Sequence, residues 1–223
     1  MRAAKALMVV AVLWPATARA NGKFPAADQL VVAGADPDHV AMMSTFGVLT
    51  TRNAGQDWDV ICESAAQYED YEPAIALTTA GTVLLTLNEG VGVGRDGGCS
   101  WSLAAGVDQP VVDVTQSAAE PDTSVVITTF AGDSGYWAST DDGATFQQVS
   151  ALPAGFAALT VDVAPTDPMR VYASGVDVNA DEGQLARSDD AGVTWTTRPI
   201  PGSDTEFQPF ICLLYTSPSP RDS

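Results

Sequence analysis

The sequence predicts an all-β protein built from four repeats, each a four-stranded antiparallel sheet, followed by the first strand of a fifth repeat. Three observations support this prediction. An eight-residue turn motif recurs four times, stretches rich in Val, Ile, Thr and aromatic residues flank each copy, and Pro or Gly marks a second turn in every repeat. Recurrence at a period of about 45 residues indicates one supersecondary unit repeated along the chain.

The turn motif, called the octet below, is clearest at 188–195, which reads Ser-Asp-Asp-Ala-Gly-Val-Thr-Trp. The copy at 139–146 matches it fully, and those at 94–101 and 51–58 are degenerate. In each copy a carboxylate or amide oxygen can accept bonds from the N–H groups just ahead and hold a bend. A Gly two residues later can adopt positive φ, which strains residues that carry Cβ. The turn acceptor, Gly and closing aromatic are Asn53, Gly55 and Trp58; Asp96, Gly98 and Trp101; Asp141, Gly143 and Phe146; Asp190, Gly192 and Trp195.

Strands are predicted on both sides of each octet, because β-branched and aromatic residues favour strands whereas Pro and Gly mark turns. The third strand of each repeat enters the octet and the fourth leaves it. The repeats span about 27–62, 73–104, 110–150 and 157–199, and 206–211 begins the fifth. The predicted strands are 29–32, 40–44, 47–51 and 58–62; 74–78, 82–87, 91–94 and 100–103; 111–115, 123–130, 136–139 and 145–149; and 159–163, 170–174, 184–188 and 194–198.

The octet resembles the Asp box, or BNR repeat, whose pattern is Ser-x-Asp-x-Gly-x-Thr-Trp. This repeat occurs in β-propellers such as sialidases, some other glycoside hydrolases, sortilin-like receptors and photosystem II assembly factors. The resemblance implies that 21–211 form an incomplete β-propeller, with four blades, the start of a fifth, and the octets between third and fourth strands. The box is structural across the family, so the resemblance implies a fold and leaves the activity open.

Residues 1–20 are typical of a secretory signal. A positively charged start precedes an apolar run at 6–14, far shorter than the ~20 residues of a membrane helix. Ala18-Arg19-Ala20 then fits the small-x-small cleavage rule. The sequence therefore predicts a protein exported to the periplasm, the cell surface or the medium, of bacterial origin, with no transmembrane segment after cleavage. A retained N-terminal anchor is the alternative.

The other end of the chain has an unusual composition. Residues 212–222 resemble one translated frame of a sequencing-library adapter, so 212–223 are interpreted as a non-native tail. A natural Ser/Pro linker is the alternative. The adapter interpretation implies that the propeller ring continues beyond this sequence.

The formal net charge of −18 argues against two classes of partner. Nucleic acids and anionic membranes both require a basic surface. An acidic, solubilising surface is the plain interpretation, and affinity for a divalent cation is the functional one. Asp177-x-Asn179-x-Asp181 resembles the start of a calcium loop, but its Gly is one place late and no Glu follows at the required spacing. We therefore predict no cofactor or metal ligand, and calcium remains a weak candidate.

The candidate binding face lies opposite the octets, because repeat-length variation falls there and insertions in repeat arrays often mark the binding face. The extra residues are at 131–135 and 176–183, and the link 63–72 joins carboxylates to two tyrosines. Paired carboxylates can perform glycosidic acid–base chemistry, whereas a solvated loop is the plainer interpretation of this link. The candidate face comprises Glu63, Tyr68, Glu69, Asp70, Tyr71, Asp133, Asp177 and Asp181.

Cys62 and Cys99 form a candidate disulfide between adjacent repeats, as expected for a cysteine pair in an exported protein. The single histidine, His39, is interpreted as a surface residue beside a turn. One histidine leaves little material for a zinc site or a Ser-His-Asp triad.

These patterns favour a non-catalytic exported module that binds a protein or carbohydrate, and no catalytic residue is assigned. The alternatives are an Asp-box glycoside hydrolase whose catalytic carboxylates lie partly outside this sequence, and a surface spacer. A classical sialidase is disfavoured. The resemblance would require three arginines on a substrate carboxylate, and only Arg170 and Arg198 lie away from the octet turns.

Overall fold

The computed structural model describes residues 26–210, apart from residues 35, 69–70, 119, 121 and 131 and the side chain of residue 130. It confirms the all-β prediction with four antiparallel four-stranded sheets, each of them a simple meander. These sheets are the blades of a β-propeller arrangement around a central channel. The predicted signal segment 1–20 and tail 212–223 lie outside the described residues.

The sixteen strands, β1–β16, follow the predicted order and differ from the prediction mainly at their ends. The fourth strands of blades 3 and 4 begin two residues later than predicted. The reason is that Thr145 and Thr194 still belong to the octet turns, where their N–H groups bind the turn acceptors. The strands are Ala27–Ala33, Asp36–Ser44, Gly47–Thr51 and Asp59–Ile61 in blade 1; Ile75–Leu77, Val83–Leu87, Gly90–Arg95 and Ser100–Leu103 in blade 2; Val111–Gln116, Ser124–Phe130, Asp133–Ser139 and Gln147–Ala151 in blade 3; and Phe156–Val163, Val171–Asp177, Glu182–Ser188 and Thr196–Pro199 in blade 4.

The extra residues of repeats 3 and 4 lengthen hairpins, which differs from the loops expected at 131–135 and 176–183. Strand β11 already begins at Asp133, and Gly135 pairs with Thr128 of β10. In blade 4, Val176 pairs with Gly183 and Asp177 pairs with Glu182. Most of the inserted residues therefore extend the ladders towards the face opposite the octets.

The predicted first strand of a fifth blade is absent from the described part of 206–211. In all four blades the first strand pairs with the second strand of its own blade, and 206–210 have no such partner among the described residues. The segment 200–210 instead folds back on the start of β15. The Gly183 N–H donates to the Ser203 carbonyl at 2.8 Å, and the Ile200 N–H donates to the Gly183 carbonyl at 2.7 Å.

Alternating side chains give each blade two packed faces. We call the face towards the preceding blade its leading face, and the face towards the following blade its trailing face. Trailing and leading residues together form three clusters, and burying an aliphatic side chain of this size contributes about 1.5–3 kcal/mol. They include Met43, Val48 and Ile61 with Ile75 and Leu85; Leu84 and Val93 with Val126, Trp137 and Phe146; and Ile127 and Tyr136 with Val161 and Ala173.

Three octet glycines lie against the preceding blade. Gly98, Gly143 and Gly192 have φ values of 86°, 72° and 85°, which favour glycine. A Cβ at Gly143 would lie 2.5 Å from Leu84 Cδ2, and a Cβ at the other two would lie closer still to Ile61 Cδ1 and Tyr136 Cε1. Each octet thus turns the chain and leaves a notch for a side chain of the neighbouring blade.

The octet turn is held by the local bonds that its sequence predicts. In the fourth octet, Asp190 accepts the Thr194 N–H at 2.8 Å and the Thr194 hydroxyl at 2.6 Å. The Ser188 hydroxyl donates to Asp190 and accepts the Gly192 N–H. These bonds lower the pKa of Asp190 to about 2. The third octet repeats the arrangement, and its Thr145 bonds likewise lower the pKa of Asp141.

The first octet keeps the same turn geometry, but its carboxylate is on Asp57, because the turn acceptor is the uncharged Asn53. Asn53 accepts the Asp57 N–H at 3.0 Å and donates its own amide to the Asp57 carboxylate at 3.0 Å. In the second octet Asp96 lies in a short 3-10 turn, and its carboxylate accepts the Ser100 hydroxyl at 3.2 Å. The degenerate copies therefore keep the turn with altered or fewer bonds.

Candidate functional site

The first strands of blades 1, 2 and 3, together with Asp162 of blade 4, line a channel of about 700 Å³. Its wall combines aliphatic residues with amides and hydroxyls. Asp162 is the only carboxylate-bearing residue that lines the channel in the described part of the chain. The polar wall residues are Gln29, Thr79, Thr115, Gln116, Ser117 and Asp162.

Two side chains join the first strand of one blade to that of the next. Gln29 on β1 accepts the Ile75 N–H at 2.7 Å and donates to the Ile75 carbonyl at 3.1 Å. At the equivalent position of β9, counted from the octet through the strand registers, Asp113 accepts the Val161 N–H at 2.8 Å. We call Gln29 and Asp113 the inter-blade clamps. Sequence reasoning missed both, although aligning the repeats on their octets would have placed them together.

Two neighbouring carboxylates, Asp162 of the wall and Asp113 beside it, have different environments. Burial raises the pKa of Asp113 to about 7, opposed by its bonds from Val161 and Val114 and reinforced by the charge of Asp162. Asp162 Oδ1 accepts the Val163 N–H at 2.9 Å and the Thr115 hydroxyl at 3.4 Å. Both oxygens of Asp113 accept backbone N–H groups, so this carboxyl positions strands and is closed to a ligand in the channel.

We expect Gln29→Ala to lower the free energy of unfolding by about 1–3 kcal/mol, because it leaves the Ile75 N–H and carbonyl without their clamp. Urea titration followed by tryptophan fluorescence measures the change. Gln56→Ala is the matched control, since the Gln56 side chain is exposed in the octet turn of the same blade. Equal effects of the two substitutions would contradict the clamp.

Tyr68 was expected on the binding face, and the structure places it in the core. Its ring is buried in the cluster between blades 1 and 2, and its hydroxyl donates to Met43 Sδ at 3.6 Å. Burial, with the nearby Glu63 charge second, raises the pKa of Tyr68. Tyr71 packs edge-on against it, with ring centroids 5.9 Å apart. The two tyrosines therefore anchor the link 63–72 to the propeller. Glu69 and Asp70 lie outside the described residues.

We expect Tyr68→Phe to change the free energy of unfolding by less than about 1 kcal/mol, because a thioether sulfur is a weak acceptor. Tyr68→Ala should cost about 3–5 kcal/mol through the cavity it creates. Thermal unfolding of both variants distinguishes a core residue from a surface one. A small effect of Tyr68→Ala would contradict the core position of this ring and favour its prediction as a binding-face residue.

The remaining candidate residues of the face make local bonds. Asp133 is exposed at the start of β11. Asp177 accepts the N–H groups of Asn179 and Ala180, and Asp181 accepts the Thr205 N–H and hydroxyl, which ties down 200–210. Among the described residues, no group of three or more His, Cys, Asp or Glu side chains is arranged to hold a metal ion.

The octet face carries a tie between blades 2 and 3. Asp142 accepts the hydroxyls of Thr78 and Thr82 at 2.5 Å, and Arg95 Nη1 donates to it at 2.7 Å. Thr78 and Asp142 also border a smaller cavity of about 240 Å³. Because Asp142 is already paired with Arg95, we assign a structural role to this contact between blades 2 and 3 on the octet face.

His39 is buried, which corrects its interpretation as a surface residue. Its ring lies against the first turn of blade 2, where a Cβ at Gly81 would lie 2.8 Å from His39 Cε1. Burial and, secondly, the Arg52 charge lower the pKa of His39. The imidazole therefore serves the contact between blades 1 and 2 in its neutral form.

Cys62 and Cys99 are both free and exposed, so the candidate disulfide is not formed in the structure. Cys62 follows the far end of β4, whereas Cys99 lies within the second octet, at the other end of its blade.

The described arginines do not converge on the channel. Arg170 and Arg187 both donate to Asp189, and no arginine lines the channel in the part of the chain that is described. No helix within that part is long and apolar enough to cross a bilayer.

Neither protein-family models nor curated proteins match the sequence, but solved structures match its fold. NkGH74, a GH74 enzyme of Niastella koreensis, matches with a TM-score of 0.62 at 15% identity, over 80% of this chain and 30% of its own. A Dyadobacter fermentans protein of unknown function matches at 0.54 and 15%, over 80% and 70%. YCF48 from Cyanidioschyzon merolae matches at 0.48 and 16%, over 74% and 56%.

The two matches with TM-scores above 0.5 support the β-propeller fold that the sequence predicted. At 15% identity they show the fold alone. The chain spans between 23% and 38% of the lengths of three GH74 enzymes that it matches.

Proposed function

We propose that this chain is an exported, non-catalytic β-propeller module of the Asp-box type. It binds a protein segment or a glycan in the channel and on the surface opposite the octets. The channel supports this proposal most directly, because about 700 Å³ falls within the range of ligand sites and its wall offers amides and hydroxyls.

The distribution of carboxylates favours binding over catalysis. Glycosidases need two carboxyl groups on opposite sides of the scissile bond, about 5–10 Å apart. Asp162 is the one carboxylate-bearing wall residue of the described channel, and its neighbour Asp113 is half-buried with both oxygens bonded to the backbone.

A glycoside hydrolase is the second candidate, and one observation favours it. Asp162 places one carboxylate on the channel wall, which is half of the pair that glycosidase chemistry requires. In such an enzyme Asp162 would act with a carboxylate outside the described residues. The fold shared with NkGH74 is compatible with either candidate.

The two candidates are separated by measuring binding and hydrolysis on one preparation. The purified chain is applied to a glycan array and a peptide array, and each bound glycan is assayed for product by mass spectrometry. Binding without product supports the module, and Asp162→Asn should weaken that binding about tenfold, while Asp59→Asn on the outer strand leaves it unchanged. Product formation that Asp162→Asn abolishes supports the hydrolase. No binding to either array contradicts both.

Export is tested separately. Residues 1–20 are fused to a reporter that is active only outside the bacterial cytoplasm. Reporter activity that is lost when Ala18 and Ala20 are replaced by large residues supports a cleaved signal, because the cleavage site requires small side chains. A cytoplasmic reporter would contradict export.

A further inference from the structure

The dipeptide Asp-Gly occurs twice in the chain, and both copies lie in octet turns. Asp96-Gly97 lies in the second octet and Asp142-Gly143 in the third. An aspartate followed by glycine can rearrange without an enzyme, because glycine has no side chain to shield its backbone nitrogen from the neighbouring carboxyl group. The two copies share this reactive sequence, and the structure places them in different environments.

The Asp142 copy is restrained at both of its reacting groups. Its carboxylate accepts a bond from Arg95 Nη1 at 2.7 Å, in addition to two threonine hydroxyls. The Gly143 N–H donates to the Ser139 hydroxyl at 3.1 Å, and Gly143 itself is buried. Turning the carboxyl group onto the Gly143 nitrogen would therefore break an ion pair and release a buried backbone bond.

The Asp96 copy has weaker restraints. Gly94 takes the place that Ser139 has in the third octet, so the second octet has no hydroxyl at this position. Asp96 is exposed, and its carboxylate accepts the exposed Ser100 hydroxyl at 3.2 Å. Apart from its chain neighbours, no described atom lies within 4 Å of a Cβ built at Gly97. The Asp96 carboxyl group therefore has room to turn towards the Gly97 nitrogen.

We propose that Asp96-Gly97 is a site of spontaneous isoaspartate formation in the folded chain, and that the fold protects Asp142-Gly143. The Gly97 nitrogen forms a bond to Asp96 Cγ, and one carboxyl oxygen leaves as water with the proton of the acid and the proton of the nitrogen. Water then adds to a carbonyl of the resulting five-membered succinimide and breaks its bond to the nitrogen. Cleavage at Cγ restores aspartate, whereas cleavage at the α-carbonyl leaves the chain joined through Cγ with a free α-carboxyl group. The composition of the chain is unchanged, and no oxidant or reductant takes part.

The rearranged linkage alters the contact between blades 1 and 2. Isoaspartate at position 96 lengthens the backbone by one atom, two residues before the notch of the second octet. In this notch Gly98 lies against Ile61 of blade 1, and the Gly98 carbonyl accepts the Trp101 Nε1–H at 2.8 Å. Because interiors are close-packed, displacing Gly98 should weaken this contact and destabilise the isoaspartyl chain. The modification is independent of the ligand bound in the channel.

Peptide mapping of the purified chain after prolonged incubation at neutral pH tests the proposal. Mass spectrometry with electron-transfer dissociation distinguishes isoaspartate from aspartate in peptides of equal mass. The peptide that contains Asp96 should accumulate isoaspartate about tenfold faster, or more, than the peptide that contains Asp142, because only the latter must first break a bond to a charged group. Gly97→Ala should slow the reaction at Asp96, since its methyl group shields the attacking nitrogen, and should leave Asp142 unchanged.

The same incubation in guanidinium is the control, because unfolding removes the restraints from both copies. Dividing each rate in the folded chain by its rate in the unfolded chain removes the effect of the flanking residues. The resulting ratio should be close to one for Asp96 and much lower for Asp142. Equal ratios, or an Asp96 copy that reacts in the unfolded chain and stays unchanged in the folded one, would overturn the proposal. Circular dichroism verifies the folding of Gly97→Ala, and the comparison of folded with unfolded unmodified chain holds without this variant.

Discussion

Replacing Gly192 by Ala is expected to lower the free energy of unfolding by roughly 2–5 kcal/mol. The backbone at Gly192 has φ of 85°, and a side chain in this left-handed region costs about 1–2 kcal/mol. The added Cβ would also overlap the buried Tyr136 ring, and overpacking of this kind costs about 1–3 kcal/mol. Guanidinium titration monitored by fluorescence and circular dichroism measures the loss.

Gly202→Ala is the control for this result. Gly202 has φ of 80°, but nothing lies within 4 Å of a Cβ built there, so only the backbone cost should remain. If both substitutions destabilise the chain equally, the octet notch contributes nothing to blade packing. Gly55→Ala should follow the control, because the atoms nearest to a Cβ built there, in the Trp58 ring, lie no closer than 3.5 Å.

Stability is expected to decrease as the pH rises from about 4 to about 7, through Asp113. The unfolded chain ionises this carboxyl near its ordinary pKa of 3.8, whereas burial holds the folded value at about 7. Between these values the unfolded state has released a proton that the folded state retains, so rising pH favours unfolding. A shift of about three units corresponds to roughly 4 kcal/mol, fully lost above pH 7.

The measurement compares unfolding free energies of the unmodified chain and Asp113→Asn at pH 5 and pH 8. The variant should lack most of the decrease, although Asn loses one backbone bond and should be less stable at pH 5. His39 titrates with the opposite sign, since its lowered pKa makes the folded state bind fewer protons than the unfolded state near pH 6. Subtracting the two pH profiles removes that contribution. Identical profiles would show that Asp113 is ionised in the folded chain at pH 5.

The features predicted correctly from sequence depend on short-range contacts. The bonds of Asp190 join Ser188 and Thr194, within four residues, so the octet pattern determines its own geometry. The strands follow from the octets because each blade is a meander of neighbouring hairpins. The two insertions were misjudged because a long hairpin and a long loop add the same number of residues, and only the ladder distinguishes them.

The residues that were misjudged are those whose environment comes from another blade. His39 becomes buried by the turn at Gly81, and Tyr68 becomes buried by the cluster between blades 1 and 2. The clamps Gln29 and Asp113 bond residues 46 and 48 positions away, about one repeat along the chain. Recognising the clamps requires the strand registers of two blades at once. The repeat period indicates those registers only after the octets are aligned with one another.

The clamp position has one exception, at the seam between blades 2 and 3. By register, Ala74 occupies there the place of Gln29 and Asp113, and its short side chain cannot reach the next inner strand. That seam keeps its tie at Asp142 on the octet face. The inner strands at this seam are held by the apolar cluster of blades 2 and 3 without a polar clamp. We therefore expect this seam to yield before the two clamped seams when a bulky ligand widens the channel.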